Sequence, residues 1–119
     1  MKKLILFACL LIAFISCKKN QLGGQSTVSG TVLHHSRFIA GARVFIKFNA
    51  KEFPGNDTTK YDAKVVADLS GTYNFNCYQG NYFLYAYGYD DQLRLPVFGG
   101  TSVKVRTNEI VSTDLAVFE

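Results

Sequence analysis

The sequence predicts an all-β fold in which about seven short antiparallel strands form a sandwich of two sheets over residues 26–119. Three observations support this prediction. Apolar and polar residues alternate at period two from Ser26 onward. Clusters of Gly, Asn and Asp interrupt the alternation roughly every 8–12 residues, as turns do. Aromatic residues, which favour strands, make up 14% of the chain, and no stretch shows a helical period over helical length.

The predicted strands are defined by apolar residues that point inward and alternate with polar neighbours. In the turn Asp68-Leu69-Ser70-Gly71, we expect a positive φ at Gly71 and hydrogen bonds from backbone amides to Asp68. Later strands are predicted over residues 82–87, 101–106 and 111–117. The earlier inward sets are, in chain order, Val28, Gly30 and Val32; Ala42, Val44, Ile46 and Phe48; Tyr61, Ala63, Val65 and Ala67; and Tyr73, Phe75 and Cys77.

Residues 1–16 have the three parts of a secretory signal peptide. Lys2 and Lys3 form a basic start, an uncharged apolar run follows over 4–15, and Ser16 precedes Cys17. As a helix the apolar run would rise roughly 18 Å, which is too short for the roughly 30 Å hydrocarbon core of a bilayer. We therefore expect this segment to be cleaved rather than to span a membrane.

The segment Phe14-Ile15-Ser16-Cys17 resembles the lipobox of bacterial lipoproteins, although Phe14 stands where such proteins usually carry Leu. The resemblance implies cleavage before Cys17, a thioether from its thiol to diacylglycerol and acylation of its amine, so that several acyl chains hold the protein on a membrane. Lys18 at the next position implies the outer membrane of a Gram-negative cell envelope. Residues 17–25 are polar and contain Gly, and we interpret them as the lipidated Cys17 followed by a flexible tether.

Charge and cysteine content narrow the class of protein. The precursor carries a formal net charge of +4, and Lys2 and Lys3 leave with the signal peptide. The remaining charge is small and not clustered, so no nucleic-acid partner is expected. Cleavage removes Cys9 and lipidation consumes Cys17, which leaves Cys77 alone and excludes an intramolecular disulfide.

Three segments resemble the carboxypeptidase regulatory-like domain, a transthyretin-like relative of the CnaB and immunoglobulin-like sandwiches. Residues 28–32 resemble its first strand, and residues 39–44 resemble the start of its second. Residues 67–75 and 80–84 resemble its core hairpin, D-x-x-G-x-Y-x-F followed by G-x-Y-x-L. The resemblance covers residues 26–118 and implies a single immunoglobulin-like or transthyretin-like antiparallel β-sandwich. The matching residues are scaffold residues, so the resemblance implies no particular function.

No pattern in the sequence predicts catalysis, a cofactor or a metal site, and we expect a protein that is not an enzyme. Adjacent strand residues point to opposite faces, so His34 and His35 are interpreted as part of a solvated loop and not as metal ligands. Cys77 shares the parity of Tyr73 and Phe75 and is predicted to be a buried, unreactive thiol.

The strand over 82–87 carries the candidate binding face. Alternate residues of this strand point into the predicted core, so Phe83, Tyr85 and Tyr87 form its outer face. Three successive outward aromatic rings are an apolar patch suited to stacking on sugars or to holding a protein partner. The alternative is that the stems of basic side chains on neighbouring strands cover these rings.

These observations predict a non-enzymatic, envelope-anchored binding or assembly module of a bacterial lipoprotein. The membrane is a partner through the lipid on Cys17, and a further partner would be an envelope protein or a glycan. Two alternatives stay open: a structural spacer or subunit of a surface assembly, and a small envelope enzyme or enzyme inhibitor. Asp57-Thr58-Thr59, in a predicted exposed loop, also resembles a short bacterial O-glycosylation signal.

Overall fold

A computed structural model of the chain describes residues 18–119, so the predicted signal peptide and Cys17 lie outside the described residues. A short 3-10 helix, η1 (Thr58–Lys60), lies between the third and fourth strands. No helix within residues 18–119 is long and apolar enough to cross a bilayer. The strands are β1 (Leu22–His34), β2 (Arg37–Phe38), β3 (Arg43–Phe48), β4 (Ala63–Val66), β5 (Thr72–Cys77), β6 (Gly80–Asp90), β7 (Leu95–Val105), β8 (Ile110–Ser112) and β9 (Leu115–Ala116).

The strands form two sheets, which confirms the predicted all-β sandwich. One sheet has the order β4-β3-β6-β7 with every pair antiparallel. The other is built on β1, with which β2 and β5 pair antiparallel and β8 and β9 pair parallel. The parallel pairs correct the expectation of a wholly antiparallel fold. Because the chain enters β8 from the other sheet, no hairpin turn sets the direction of β8 and β9 against β1.

The core between the two sheets contains most of the inward residues that the alternation predicted, together with Val97 of β7, which lies before the predicted strand over 101–106. Gly30 marks a close approach within it, because a Cβ at this position would lie 1.7 Å from the carbonyl oxygen of Thr113, between β8 and β9. The hydroxyl of Tyr73 donates a hydrogen bond to the same carbonyl. The core includes Val28, Val32, Ala42, Val44, Ile46, Ala67, Tyr73, Phe75, Cys77, Tyr82, Leu84, Ala86, Val97, Val103, Val105, Leu115 and Val117.

The turn before β5 has the predicted geometry. Gly71 has a φ of +74°, and its amide donates to the carbonyl oxygen of Asp68 at 3.0 Å. Oδ1 of Asp68 accepts hydrogen bonds from the amides of Ser70 at 2.8 Å and Thr72 at 3.0 Å. The turn therefore satisfies its own backbone groups and leads directly into β5.

The sandwich begins earlier in the chain than the predicted boundary at Ser26. The first strand starts at Leu22, and both Leu22 and Ser26 oppose Cys77 across a bulge. Farther back, the amide of Asn20 donates to the carbonyl oxygen of Gln79 at 2.9 Å. Residues 20–25 are thus attached to the sandwich and are not part of a flexible tether. Their glycine content suggested flexibility, but Tyr78 and Gln79, which follow β5, supply hydrogen-bond partners that composition does not reveal.

Candidate binding surface

The predicted outer face of β6 points away from the core but is largely covered. Phe83, Tyr85 and Tyr87 oppose Lys47, Phe45 and Arg43 of β3, on the outer side of the sheet. Phe83 is 8% exposed and Tyr85 4%, whereas Tyr87 is 42% exposed. The expected row of three exposed rings is therefore reduced to Tyr87.

The cover comes from the loop that joins β3 to β4. The ring of Phe53 lies 5.7 Å from the rings of both Phe83 and Tyr85. Tyr61 stacks on Tyr85 at 5.7 Å with an interplanar angle of 24°, and its hydroxyl donates to the carbonyl oxygen of Gly55 at 3.0 Å. Aromatic residues of the loop thus cover the face. Tyr61 itself was predicted to point inward on a strand, and the structure places it in the loop before β4.

The covered rings lie in a partly dehydrated environment. Burial raises the pKa of Tyr61 to about 12, and the neighbouring Tyr85 adds to the shift. Burial likewise raises the pKa of Tyr85, with a further contribution from Tyr87. Both hydroxyls are neutral at physiological pH, so this cluster acts as packing between loop and sheet.

Beyond the loop, the same side of the sheet keeps three exposed aromatic rings, which we call the aromatic surface: Tyr87, Tyr89 and Phe98. Tyr87 and Tyr89 are two residues apart on β6 and so share a face. Phe98 on β7 opposes Tyr87 directly. The exposed fractions are 42% for Tyr87, 50% for Tyr89 and 40% for Phe98. Sequence reasoning missed Tyr89 and Phe98, although the parity of β6 would have included Tyr89.

A cleft of about 390 Å³ lies between the aromatic surface and the start of η1. The carboxylate of Asp57 caps η1 by accepting hydrogen bonds from the amide of Thr59 at 3.1 Å and from its hydroxyl at 2.6 Å, and these bonds lower the pKa of Asp57. The cleft therefore joins flat apolar rings to amide, hydroxyl and guanidinium groups. Its lining residues are Arg43, Phe45, Asn56, Thr58, Tyr85, Tyr87 and Phe98.

The structure corrects the interpretation of His34 as a loop residue. His34 is 1% exposed at the end of β1, and its Nδ1 lies 2.7 Å from Oδ2 of Asp90. His35 has a φ of +58°, which ends the strand alternation and brings the two imidazole rings to 4.4 Å between centroids. The rule that adjacent residues face opposite ways applies within a strand and fails at this turn.

The carboxylate of Asp90 is held by several further groups. Its Oδ1 accepts hydrogen bonds from the amides of Gln92 and Leu93, each at 3.0 Å, and lies 3.6 Å from the guanidinium of Arg37. The hydrogen bond from His34, followed by these backbone bonds and the charge of Arg37, lowers the pKa of Asp90. Asp90 is therefore a fixed, ionised partner for His34.

Cys77 is buried, and burial raises the pKa of its thiol. Because the thiolate is the reactive form, this environment makes the group a poor nucleophile. The geometry fits the predicted role of Cys77 as a small core residue.

Comparisons with known proteins show the fold. The sequence matches no protein-family model and no curated protein. Among solved structures, it is similar to a DUF3823 family protein from Parabacteroides merdae, with 16% identity and a TM-score of 0.51 over 80% of this chain and 46% of that one. It is also similar to BcpA, the major pilin subunit of Bacillus cereus, with 14% identity and a TM-score of 0.54 over 81% of this chain and 30% of that one.

The chain spans less than half the length of each of these two proteins. At such identities the likeness concerns architecture, and both neighbours are immunoglobulin-like β-sandwiches. The described part of the chain is therefore an all-β, immunoglobulin-like sandwich.

Proposed function

We propose that the protein is a non-enzymatic binding module of a bacterial lipoprotein, held at the cell envelope by lipid on Cys17, which takes a saccharide in the cleft beside Tyr87 and Phe98. The observation that carries this proposal is the composition of the cleft, in which exposed aromatic rings face polar side chains. The lipobox-like segment ending at Cys17 supports the envelope location.

The chemistry of the cleft suits a sugar ring. A pyranose has an apolar face that stacks on an aromatic ring, and hydroxyl groups that need hydrogen-bond partners. Tyr87 and Phe98 supply the rings, while Arg43, Asn56 and Thr58 supply donors and acceptors at the rim. The volume of about 390 Å³ is near the lower end for ligand pockets, which suits one or two sugar units. A small, open site of this kind predicts weak binding.

A subunit of a surface assembly is the second candidate. The observation that favours it is the position of β4 at the end of its sheet, with Val66 exposed on that strand. An edge strand with unpaired backbone groups can accept a strand from another chain. The same sandwich fold occurs in the major pilin subunit of Bacillus cereus, although the likeness extends to architecture alone.

The test is saccharide binding by the full-length protein in detergent micelles, measured against a panel of peptidoglycan and envelope polysaccharide fragments. Tyr87→Ala and Phe98→Ala should each weaken binding at least about tenfold, because each removes a stacking ring. Phe38→Ala is the matched control, since Phe38 is an exposed phenylalanine of the other sheet and does not line the cleft.

Two results would contradict the saccharide site. The first is unchanged binding in both cleft variants, and the second is the absence of binding to any fragment by the wild type. Self-association of the wild type that is lost in a Val66→Lys variant would instead support the assembly role, because a charge on an edge strand opposes strand addition.

A further inference from the structure

The end of the sandwich where β1 meets the last residues of the chain brings two histidines and a carboxylate together. Nε2 of the buried His34 lies 3.7 Å from Oε2 of Glu119. His35 is adjacent, and one donor atom from each of the three residues lies within 4.8 Å of the others. His35 and Glu119 are exposed, so the group opens to solvent on one side.

The hydrogen bond to Asp90 sets the chemistry of His34. Nδ1 lies 2.7 Å from an ionised carboxylate, so this nitrogen carries the proton and donates it. Nε2, the ring nitrogen that does not contact Asp90, faces Glu119. A distance of 3.7 Å is too long for a hydrogen bond between the two groups. Metal-binding histidines are commonly oriented by a carboxylate on the other ring nitrogen in this way.

The donor set and its spacing suit a transition metal. Two imidazoles and one carboxylate are ligands that zinc accepts, with bonds of roughly 2.0–2.2 Å and a tetrahedral arrangement. Such bonds place donor atoms roughly 3.4 Å apart. The distance of 3.7 Å between Nε2 of His34 and Oε2 of Glu119 already approaches this value. His35 and Glu119 are exposed side chains, and their rotation can close the remaining distance without disturbing the core.

We propose that His34, His35 and Glu119 form a binding site for Zn²⁺ or a similar divalent transition metal, with Asp90 positioning His34 and a fourth coordination position open to solvent. The positive ion would lie between the imidazoles and Glu119, on the side of His34 opposite Asp90. It would join the end of β1 to the segment after β9. Because the folded chain binds the ion better than the unfolded chain, the metal would stabilise the sandwich.

The experiment uses the full-length, processed protein in detergent, purified through an affinity tag without histidine and freed of metal by a chelator. Calorimetric titration with Zn²⁺ should show one ion per chain with a Kd of about 1 μM or tighter. Co²⁺ should give the absorption bands of a tetrahedral site. At a free Zn²⁺ concentration about a hundred times the Kd, the midpoint of thermal unfolding should rise by roughly 10 °C.

His35→Ala and Glu119→Gln should each weaken Zn²⁺ binding at least about tenfold and abolish the tetrahedral Co²⁺ spectrum. Both residues are exposed, so both variants should fold and unfold like the metal-free wild type. Glu52→Gln, at an exposed glutamate in the loop between β3 and β4, is the control and should bind like the wild type. Undiminished binding in both site variants, or an equal loss in the control, would overturn the site. Absence of binding by the wild type would do the same.

Discussion

Gly30, in β1, has no room for a side chain. An added Cβ would lie 1.7 Å from the carbonyl oxygen of Thr113, which also accepts a hydrogen bond from Tyr73. We predict that Gly30→Ala lowers the free energy of unfolding by about 3 kcal/mol, because the backbone between β8 and β9 must move away. Urea denaturation gives the value. Ser29→Ala is the control and should change it by less than about 0.5 kcal/mol.

Ionisation of the Tyr61 hydroxyl should lower the stability of the folded protein at alkaline pH. Its pKa is near 10 in the unfolded chain and about 12 in the folded protein, so the folded state favours the neutral hydroxyl. Its contribution to stability is therefore complete below pH 10 and is lost as the pH rises toward 12.

We predict that Tyr61→Phe loses less stability than the wild type over this pH interval, because the phenylalanine cannot ionise. Below pH 10 the variant should be less stable than the wild type by about 1 kcal/mol, since it lacks the hydrogen bond to Gly55. Denaturation curves at both ends of the interval test this. Parallel losses in the two proteins would show that Tyr61 does not ionise as described.

Single residues also show where sequence reasoning succeeds and where it stops. The turn of Asp68 and Gly71 could be predicted because its hydrogen bonds connect residues within four positions of one another. The burial of His34 could not, because its partner Asp90 is 56 positions away and the two strands lie in different sheets. A polar group becomes buried when a distant partner satisfies it, and local patterns do not reveal that partner.

At the scale of elements, the loop between β3 and β4 determines how much of the outer sheet face meets solvent. Strand parity predicted correctly that Phe83, Tyr85 and Tyr87 point outward. It could not predict that the loop covers two of these rings, because a loop that folds back onto a sheet produces no repeating pattern in the sequence. The aromatic residues Phe53 and Tyr61 within this polar stretch were the available signal.

We predict that Phe53→Ala uncovers Phe83 and Tyr85. The change should lower stability by roughly 1 kcal/mol, because Phe53 is itself half exposed and only part of its area is lost from the contact. It should also increase binding of a dye that reports apolar surface. Phe38→Ala, which removes an exposed ring elsewhere, should leave dye binding unchanged or lower it. Equal dye binding by Phe53→Ala and the wild type would mean that the loop stays in place without this ring.

At the scale of the whole molecule, the two sheets are joined by the last residues of the chain. The amide of Val117 donates to the carbonyl oxygen of Leu33 at 2.9 Å, and Phe98 and Phe118 exchange two backbone hydrogen bonds of 2.9 Å. The alternation of the sequence predicted a sandwich, because each strand has one face to bury. It carried no information on the parallel pairing of β8 and β9, since a strand buries the same face in either direction.

The processing of the precursor should be visible in its thiols. The full chain contains three cysteines, of which Cys9 would be lost with the signal peptide and Cys17 would be blocked by lipid. We predict that the protein extracted from membranes has one thiol, Cys77, which reacts with a thiol reagent in denaturant and not in the native state, because it is buried. Thiol titration, in the native state and in denaturant, together with the intact mass measures the number of thiols and their accessibility. A count of three would show that the precursor is not processed, and rapid native labelling of Cys77 would contradict its burial.

The attachment of Asn20 to the sandwich limits how far the domain can lie from a lipid on Cys17. With lipid on Cys17, only Lys18 and Lys19 separate the acyl chains from Asn20, a span of roughly 10 Å when extended. Because the bulge places Leu22 and Ser26 opposite the same residue, β1 extends roughly 27 Å along the sandwich, from Ser26 to His34. A lipid on Cys17 would therefore hold the end of the sandwich that contains Asn20 close to the bilayer. The cleft and the histidine pair would lie toward the opposite end of the sandwich. Because the connection to the lipid is so short, the domain could not extend toward a distant ligand, and the ligand would have to reach the domain.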